Sequence, residues 1–322
     1  MHAYYCHHFV LPLPEGHRFP MAKYARLHER LQARAAGLGL ELAVPEPAGI
    51  DDLLRVHDPG YVTRMLEGTM ADAELRRIGF PWSVQMVERS RRSSGATIAA
   101  LRRALAGDGV AVNLAGGTHH AGPARGGGYC VFNDAAVAAR HVQAHGLAKR
   151  LLVIDLDVHH GDGTAAIFRD DPSVYTMSVH AARNYPAVKP AGDLDVALPD
   201  GTGDAAYLDA VAPALARAIG EARAQAAIYL AGADPYADDR LGLLALSKPG
   251  LRARDELVLQ ACRRAGLPVA VAMAGGYANE VEDIVDIHEA TVLAALAAFR
   301  AWRGPSSGTG PDERVGAGAA RT

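Results

Sequence analysis

The segment Leu151-Leu152-Val153-Ile154-Asp155-Leu156-Asp157-Val158-His159-His160-Gly161-Asp162-Gly163 decides how the rest of the chain is read. An unbroken apolar run suits a strand buried on both faces, as in a parallel sheet. A cluster of acids, imidazoles and glycines follows it, and in open parallel sheets reactive groups collect beyond the carboxyl ends of the strands. The arrangement recurs along the chain. Residues 110–114 lead into Ala115-Gly116-Gly117-Thr118-His119-His120, residues 226–230 into Ala231-Gly232-Ala233-Asp234-Pro235, and residues 269–274 into Gly275-Gly276-Tyr277.

Across the chain, strand-like runs over 3–9, 109–114, 150–156, 174–179, 226–230 and 268–274 alternate with helical periodicity over 21–37, 84–106, 133–145, 204–224, 252–265 and 281–302. That order predicts an α/β fold, a single doubly wound, mostly parallel sheet flanked by helices, spanning residues 1–302. Residues 40–81 are less regular and read as a short helix near 51–66 with long loops over one end of the sheet. Residues 303–322, rich in glycine, serine and alanine, have no periodic apolar face and are expected to form a disordered tail.

Composition narrows the function classes. At 49% apolar and 21% charged residues the chain is of the globular kind rather than collagen-like, coiled-coil or wholly disordered. A net charge of −3 offers no footprint for a phosphate backbone, so no direct nucleic-acid partner is expected. No apolar run approaches the roughly 20 residues of a membrane span, and the N-terminus lacks the features of a secretion signal. The expectation is a cytoplasmic protein without a membrane partner. The cysteines Cys6, Cys130 and Cys262 are odd in number and far apart, which argues against a disulfide framework and against a CxxC metal site.

Asp157 and His159 are two residues apart, so on an extended strand end both side chains face one ion, with Asp155 one step deeper. Asp234, ending another strand, supplies a third ligand. Two carboxylates and an imidazole leave an open position on Zn²⁺ or Fe²⁺, as a catalytic site requires. Such an ion acidifies a water and polarises a carbonyl. Taken singly, Asp162 and Asp234 would be read as loop or helix caps. Their convergence with His119, His120 and Tyr277 at neighbouring strand ends is what marks a site. Spacing alone leaves open which of the tandem histidines acts as a base.

The runs Gly117-Thr118-His119-His120-Ala121, Gly126-Gly127-Gly128-Tyr129-Cys130-Val131-Phe132-Asn133-Asp134, residues 155–164, Gly232-Ala233-Asp234 and Gly275-Gly276-Tyr277 resemble the histone deacetylase family, within the wider arginase and deacetylase fold group. The resemblance covers about residues 1–302. Asn113-Leu114-Ala115-Gly116-Gly117 and Asn184-Tyr185-Pro186 are most similar to the class IV branch and its bacterial relatives. It implies a zinc-dependent hydrolase that removes an acetyl or longer acyl group from lysine in a protein or peptide. Zn²⁺ would be held by Asp157, His159 and Asp234. His120, paired with Asp162, would be general base and then acid. His119, paired with Asp155, would stabilise charge, and Tyr277 would donate to the oxyanion. A K⁺ ion is implied near Asp155, Asp157, His159, Ser178 and Val179, with a second cation around Phe168, Asp171 and Val174. Gly128, Tyr129, Tyr185 and Leu241 would wall a narrow tunnel, where burying four methylenes contributes roughly 3 kcal/mol.

Three rivals stand beside this reading. A small acylamine such as an acetylpolyamine could be the substrate of the same chemistry. A two-metal ureohydrolase would need bridging carboxylates on both strands, and the second strand offers only Asp234 with Asp238 beyond it. A non-hydrolytic acyl-lysine binding protein would have no use for His120 and Tyr277. Elsewhere, His141 and His145 read as a solvated helix face, Arg89, Arg91 and Arg92 as an exposed one, and Cys130 as a buried thiol.

Overall fold

The structure, a computed structural model, describes residues 1–303 of the 322. Strands β1 (His2–Tyr4), β2 (Glu41–Ala43), β3 (Val110–Asn113), β4 (Leu151–Asp155), β5 (Val174–Ala181), β6 (Leu194–Leu198), β7 (Ala226–Leu230) and β8 (Val269–Ala272) form one sheet in the order β2-β1-β3-β8-β7-β4-β5-β6. Every pairing is parallel. Helices α1 (Ala22–Leu38), α2 (Ile50–Leu54), α3 (Pro59–Glu67), α4 (Asp72–Ile78), α5 (Val84–Arg103), α6 (Asp134–Ala144), α7 (Asp162–Phe168), α8 (Asp204–Ala222), α9 (Lys248–Arg264) and α10 (Val281–Arg303) cover it.

The continuous apolar runs are explained by a core on each face. Along β4, Leu152 and Ile154 enter one apolar cluster while Leu151 and Val153 enter the other. Val269 and Val271 of β8 likewise face one side, and Ala270 and Ala272 the other. Successive side chains point to opposite faces, so a strand buried on both must be apolar throughout.

The six expected strands are present, and the sheet gains two more at its edges. β2 has only three residues, and β6 alternates partly buried and exposed positions. Edge strands bury one face and stay short, so neither produces a long apolar run. The first strand stops at Tyr4 rather than reaching residue 9, because the chain turns there, with Phe9 N–H donating to Cys6 O. Residues 40–81 hold α2, α3 and α4 in place of long loops, with Asp58 capping α3 through Tyr61 N–H. α9 begins at Lys248, four residues before the expected start, because Ser247 caps it through Gly250 N–H. α10 runs through Arg303, and the rest of the expected tail, 304–322, lies outside the described residues.

Two surface expectations are corrected. His141 is buried against α2, with Nδ1 3.0 Å from Asp52 Oδ1, and is not solvated. Arg89 is buried under the N-terminal segment, donating to Cys6 O at 3.0 Å. Cys130 is buried, as expected. No helix among the described residues is long and apolar enough to cross a membrane.

Close approach of α5 to the chain entering α2 sets a steric test. A Cβ at Gly95 would lie 1.9 Å from Glu46 O, while one at Gly220 on α8 would meet nothing within 4 Å. Gly95→Ala is expected to destabilise by about 1–3 kcal/mol through overpacking. Gly220→Ala should stabilise by up to about 1 kcal/mol through helix propensity. Urea denaturation of the two variants checks the contrast; equal midpoints would contradict this packing.

Candidate active site

The four strands whose ends carry the polar motifs, β3, β8, β7 and β4, are consecutive neighbours in the sheet. Their parallel direction brings residues 115–120, 274–277, 231–234 and 156–162 to one edge, where members of each segment line a cavity of about 600 Å³. His119, His120, Asp157, His159, Asp234 and Tyr277 all border it.

Asp157, His159 and Asp234 each present a ligand atom within 4.8 Å of the others, and all three are buried. They meet by a route other than the expected one. β4 ends at Asp155, and the chain then turns, with Asp157 N–H donating to Asp155 Oδ1 at 3.2 Å and His159 N–H to Asp157 Oδ1 at 3.0 Å. These aspartate turns, not an extended strand end, aim Asp157 and His159 together. Asp234 Oδ1 accepts from Val158 N–H at 2.9 Å. Its Oδ2 is buried without a hydrogen-bond partner among the described residues, 3.3 Å from His159 Nδ1 but outside bonding geometry.

Glycine keeps open the space in front of these groups. A Cβ at Gly275 would lie 1.9 Å from Asp234 Oδ2 and 2.6 Å from Asp157 Oδ2. An orphaned carboxylate oxygen, a facing carboxylate and an imidazole around a gap no side chain can fill suit a divalent ion with nitrogen and oxygen ligands. Burial would raise the Asp157 carboxyl, but His119 and His159 outweigh it and hold it well below the usual carboxylate range. Burial and the Asp157 charge push Asp234 up to about 7. Burial lowers His159, yet both aspartates overcome it and raise it to about 10. Without a metal, this trio recruits protons as its counter-charge.

The tandem histidines are braced from behind. His119 Nδ1 lies 2.6 Å from Asp155 Oδ2, and His120 Nδ1 lies 2.6 Å from Asp162 Oδ1. Asp162 also accepts from Arg125 at 2.9 Å. Both pairings match the expected ones. The two imidazoles differ in charge preference. Burial depresses His120, the neighbouring His119 adds to it, and the result is about 3. For His119 burial acts the same way, but Asp155 and Asp157 reverse it and raise the group to about 9. His120 is therefore neutral at pH 7, with Nδ1 engaged by Asp162 and Nε2 free for chemistry.

All four expected wall residues border the cavity. Gly128 and Tyr129 adopt left-handed φ of 51° and 65°, and a Cβ at Gly128 would lie 2.5 Å from His120 Cδ2. The Tyr185 ring meets His120 edge-on at 4.8 Å. Leu241 and Tyr277 share an anchor that sequence reasoning missed: Asp239 accepts from Leu241 N–H at 2.8 Å and from Tyr277 N–H at 2.6 Å. Burial and the charges of Asp234 and Asp157 keep the Tyr277 hydroxyl protonated, well above its ordinary range.

Asp155, Asp162, Ser178 and Val179 stand outside this cavity. Asp155 and Ser178 are register partners on β4 and β5 and border a smaller cleft, while the Val179 side chain lies in the apolar core. Asp171, implied near a second cation, is paired with Arg140. His160, His180 and Asp195 form a second group with metal-ligand spacing. Two further supports were given no role from the sequence. Asp134 accepts from Gly117 N–H at 3.1 Å and Thr118 N–H at 2.7 Å. Arg254, fully buried, donates to Leu156 O at 3.2 Å and Gly232 O at 2.6 Å, tying together the loops that carry Asp157 and Asp234. Asp134 closes the run 126–134, but its support of residues 117–118 shows only in the fold, and no local pattern distinguishes Arg254 from an ordinary helix residue.

Divalent ions should displace protons from this trio. The metal-free chain keeps a second ring proton on His159 up to about pH 10 and a proton on Asp234 up to about pH 7, whereas the ligating forms are the neutral imidazole and the carboxylate. Zn²⁺ binding at pH 7 is expected to release between one and two protons, with affinity rising as pH rises toward 10. Calorimetry in buffers of different ionisation heat counts them, and a count of zero would contradict a protonated metal-free trio.

The histone deacetylase domain model matches residues 17–292. The chain is 44% identical to an uncharacterized protein of Picosynechococcus sp., across 87% of this chain and 93% of that one. It is 31% identical to the histone deacetylase-like amidohydrolase of Pseudomonas aeruginosa, across 83% and 74% of the two chains. Against histone deacetylase 2 of Arabidopsis thaliana it is 32% identical, across 81% and 70%. The crystal structure of the HDA15 HD domain superposes with a TM-score of 0.77 over 94% of this chain and 93% of that one at 21% identity, a likeness of fold. With its parallel sheet, its strand-end cavity and a family match over most of its length, the chain belongs to the histone deacetylase family and is a deacetylase-type hydrolase.

Proposed function

We propose that the protein is a metal-dependent deacylase that hydrolyses the side-chain amide of an acyl-lysine in a peptide or protein, releasing a carboxylic acid. The observation that carries this reading is the meeting of Asp157, His159 and Asp234 with a neutral His120 and a protonated Tyr277 around one cavity. Zn²⁺, or Fe²⁺ on the same donors, would be held by that trio and would supply Lewis acidity toward a water and the acyl carbonyl.

The remaining work falls to the chain itself. His120, neutral and oriented by Asp162, takes a proton from the water as it adds to the carbonyl carbon. It returns that proton to the amine nitrogen as the C–N bond breaks. Asp162 keeps the imidazolium form accessible in the interval, since a carboxylate at 2.6 Å offsets the new charge. His119, kept charged by Asp155 and Asp157, holds the facing side of the site positive while the carbonyl oxygen gains charge. Tyr277 donates its hydroxyl to that oxygen, a contact that strengthens only as the oxyanion forms. Tyr129, Gly128, Tyr185 and Leu241 shape the wall past which the lysine methylenes thread.

K⁺ is assigned beside Asp155 and Ser178, with Asp157, His159 and Val179, a set that can offer the oxygen ligands a hard cation prefers. There it would steady the turn after β4.

The decisive experiment measures turnover of acetyl-lysine peptides and of peptides with longer acyl chains, with and without a chelator, beside acetylputrescine. Chelator-sensitive release of carboxylic acid from the peptides is expected, and a preference for acetylputrescine would move the substrate to the small acylamines. Tyr277→Phe should lower kcat by about 10²–10³ with KM little changed. A Tyr277→Phe variant with full turnover would overturn the assigned role.

A further inference from the structure

The charge at the cavity mouth runs against that of the chain. Four basic side chains, Lys23, Arg76, Arg77 and Arg183, border the cavity against two acidic ones, Asp157 and Asp234, both buried in the candidate metal group. The chain as a whole carries −3. A divalent ion on those carboxylates would leave the lining with no uncompensated negative charge.

Of these four, Arg183 meets Asp200, and Lys23 is buried and donates to Gly276 O at 3.2 Å. Arg76 and Arg77, both exposed, have no acidic partner within 4.0 Å among the described residues. A basic last turn is ordinary at a helix carboxyl end, but here that turn is stitched onto the cavity wall. Arg77 O accepts from Gly128 N–H at 3.1 Å, and Ile78 O from Tyr129 N–H at 2.7 Å. The Arg77 stem crosses Gly127. A Cβ placed there would lie 3.6 Å from Arg77 Cγ and 3.2 Å from the Tyr185 hydroxyl. Tyr185 in turn packs on His120. Two guanidinium groups outside any ion pair thus stand on the rim, with Arg77 separated from the candidate base by one tyrosine ring.

Resting on the acyl-lysine reading above, we propose that Arg76 and Arg77 are specificity residues that select substrates with an acidic residue flanking the acylated lysine. With the lysine side chain in the cavity, an extended peptide lies across the mouth and advances about 3.3 Å per residue. Its neighbouring side chains therefore pass within reach of the rim. An aspartate or glutamate there meets the open guanidinium groups, which can bind a carboxylate through two parallel N–H donors. A lysine-rich peptide or a cationic polyamine meets like charge and is disfavoured.

The test uses the full chain loaded with Zn²⁺ and three acetyl-lysine peptides identical except for flanking Asp, Gln or Lys residues. The ratio of kcat/KM for the acidic peptide to that for the basic one is read for each protein. We expect a ratio of roughly ten at low ionic strength, in the range that charge complementarity produces. It should shrink as added salt shortens the screening length from about 30 Å at 0.01 M to about 3 Å at 1 M. In Arg76→Gln/Arg77→Gln the ratio should fall to about two or below, while Arg76→Lys/Arg77→Lys retains most of it. A wild-type ratio near one with the Gln-flanked peptide turned over, or a ratio unchanged in R76Q/R77Q, overturns the inference and leaves the deacylase reading standing. Failure to hydrolyse any of the three peptides overturns both.

Discussion

Two carboxylates buried beside each other, Asp157 and Asp234, are the constraint around which the structure is organised. Neither can remain ionised in that setting without positive charge close by, because the interior neither solvates nor screens them. The chain answers with His159 at 3.0 Å from Asp157, backbone N–H groups from Val158 and Gly275, and a space that Gly275 and Gly232 keep clear. Arg254 holds the supporting loops in register by donating to carbonyls on both, while Asp255 beside it balances its charge and accepts hydroxyls from Tyr229 and Thr291. A buried ion pair of this kind is costly to break, which makes it a firm tether.

That same density of charge separates two chemically identical side chains. His119 and His120 are adjacent in sequence, with ring centroids 4.1 Å apart, yet one is held charged and the other neutral. The difference follows from position. His119 lies between two buried aspartates, whereas His120 has one, which it shares with Arg125, and feels the charge of its neighbour. Groups driven apart in this way can divide acid, base and electrostatic roles within one site.

Around this centre the fold supplies placement more than chemistry. Parallel strands put every carboxyl end on one edge, so four loops far apart in sequence converge without a dedicated scaffold. The outer rim has a different character. Arg76 and Arg77 lie on α4, inside the segment that looked least regular in sequence, and they influence what approaches the cavity rather than the reaction within it.

The sequence alone determined the α/β class, the six inner strands and the residues at their ends, because burial on both faces leaves unbroken apolar runs and polar residues stand out where such runs stop. It also carried the family resemblance, which the domain match bears out. The edge strands β2 and β6, the division of the helix expected near 51–66 into α2 and α3, the helix α4 and the buried roles of Arg89 and His141 were not legible, since each is fixed by what packs against it. Nor could spacing rank His119 against His120, or show that Asp157 and His159 meet through a turn and not along a strand. Only the tertiary structure decided those points: local sequence sets which groups are available, but protonation and direction depend on burial and on charges contributed by residues distant in the chain.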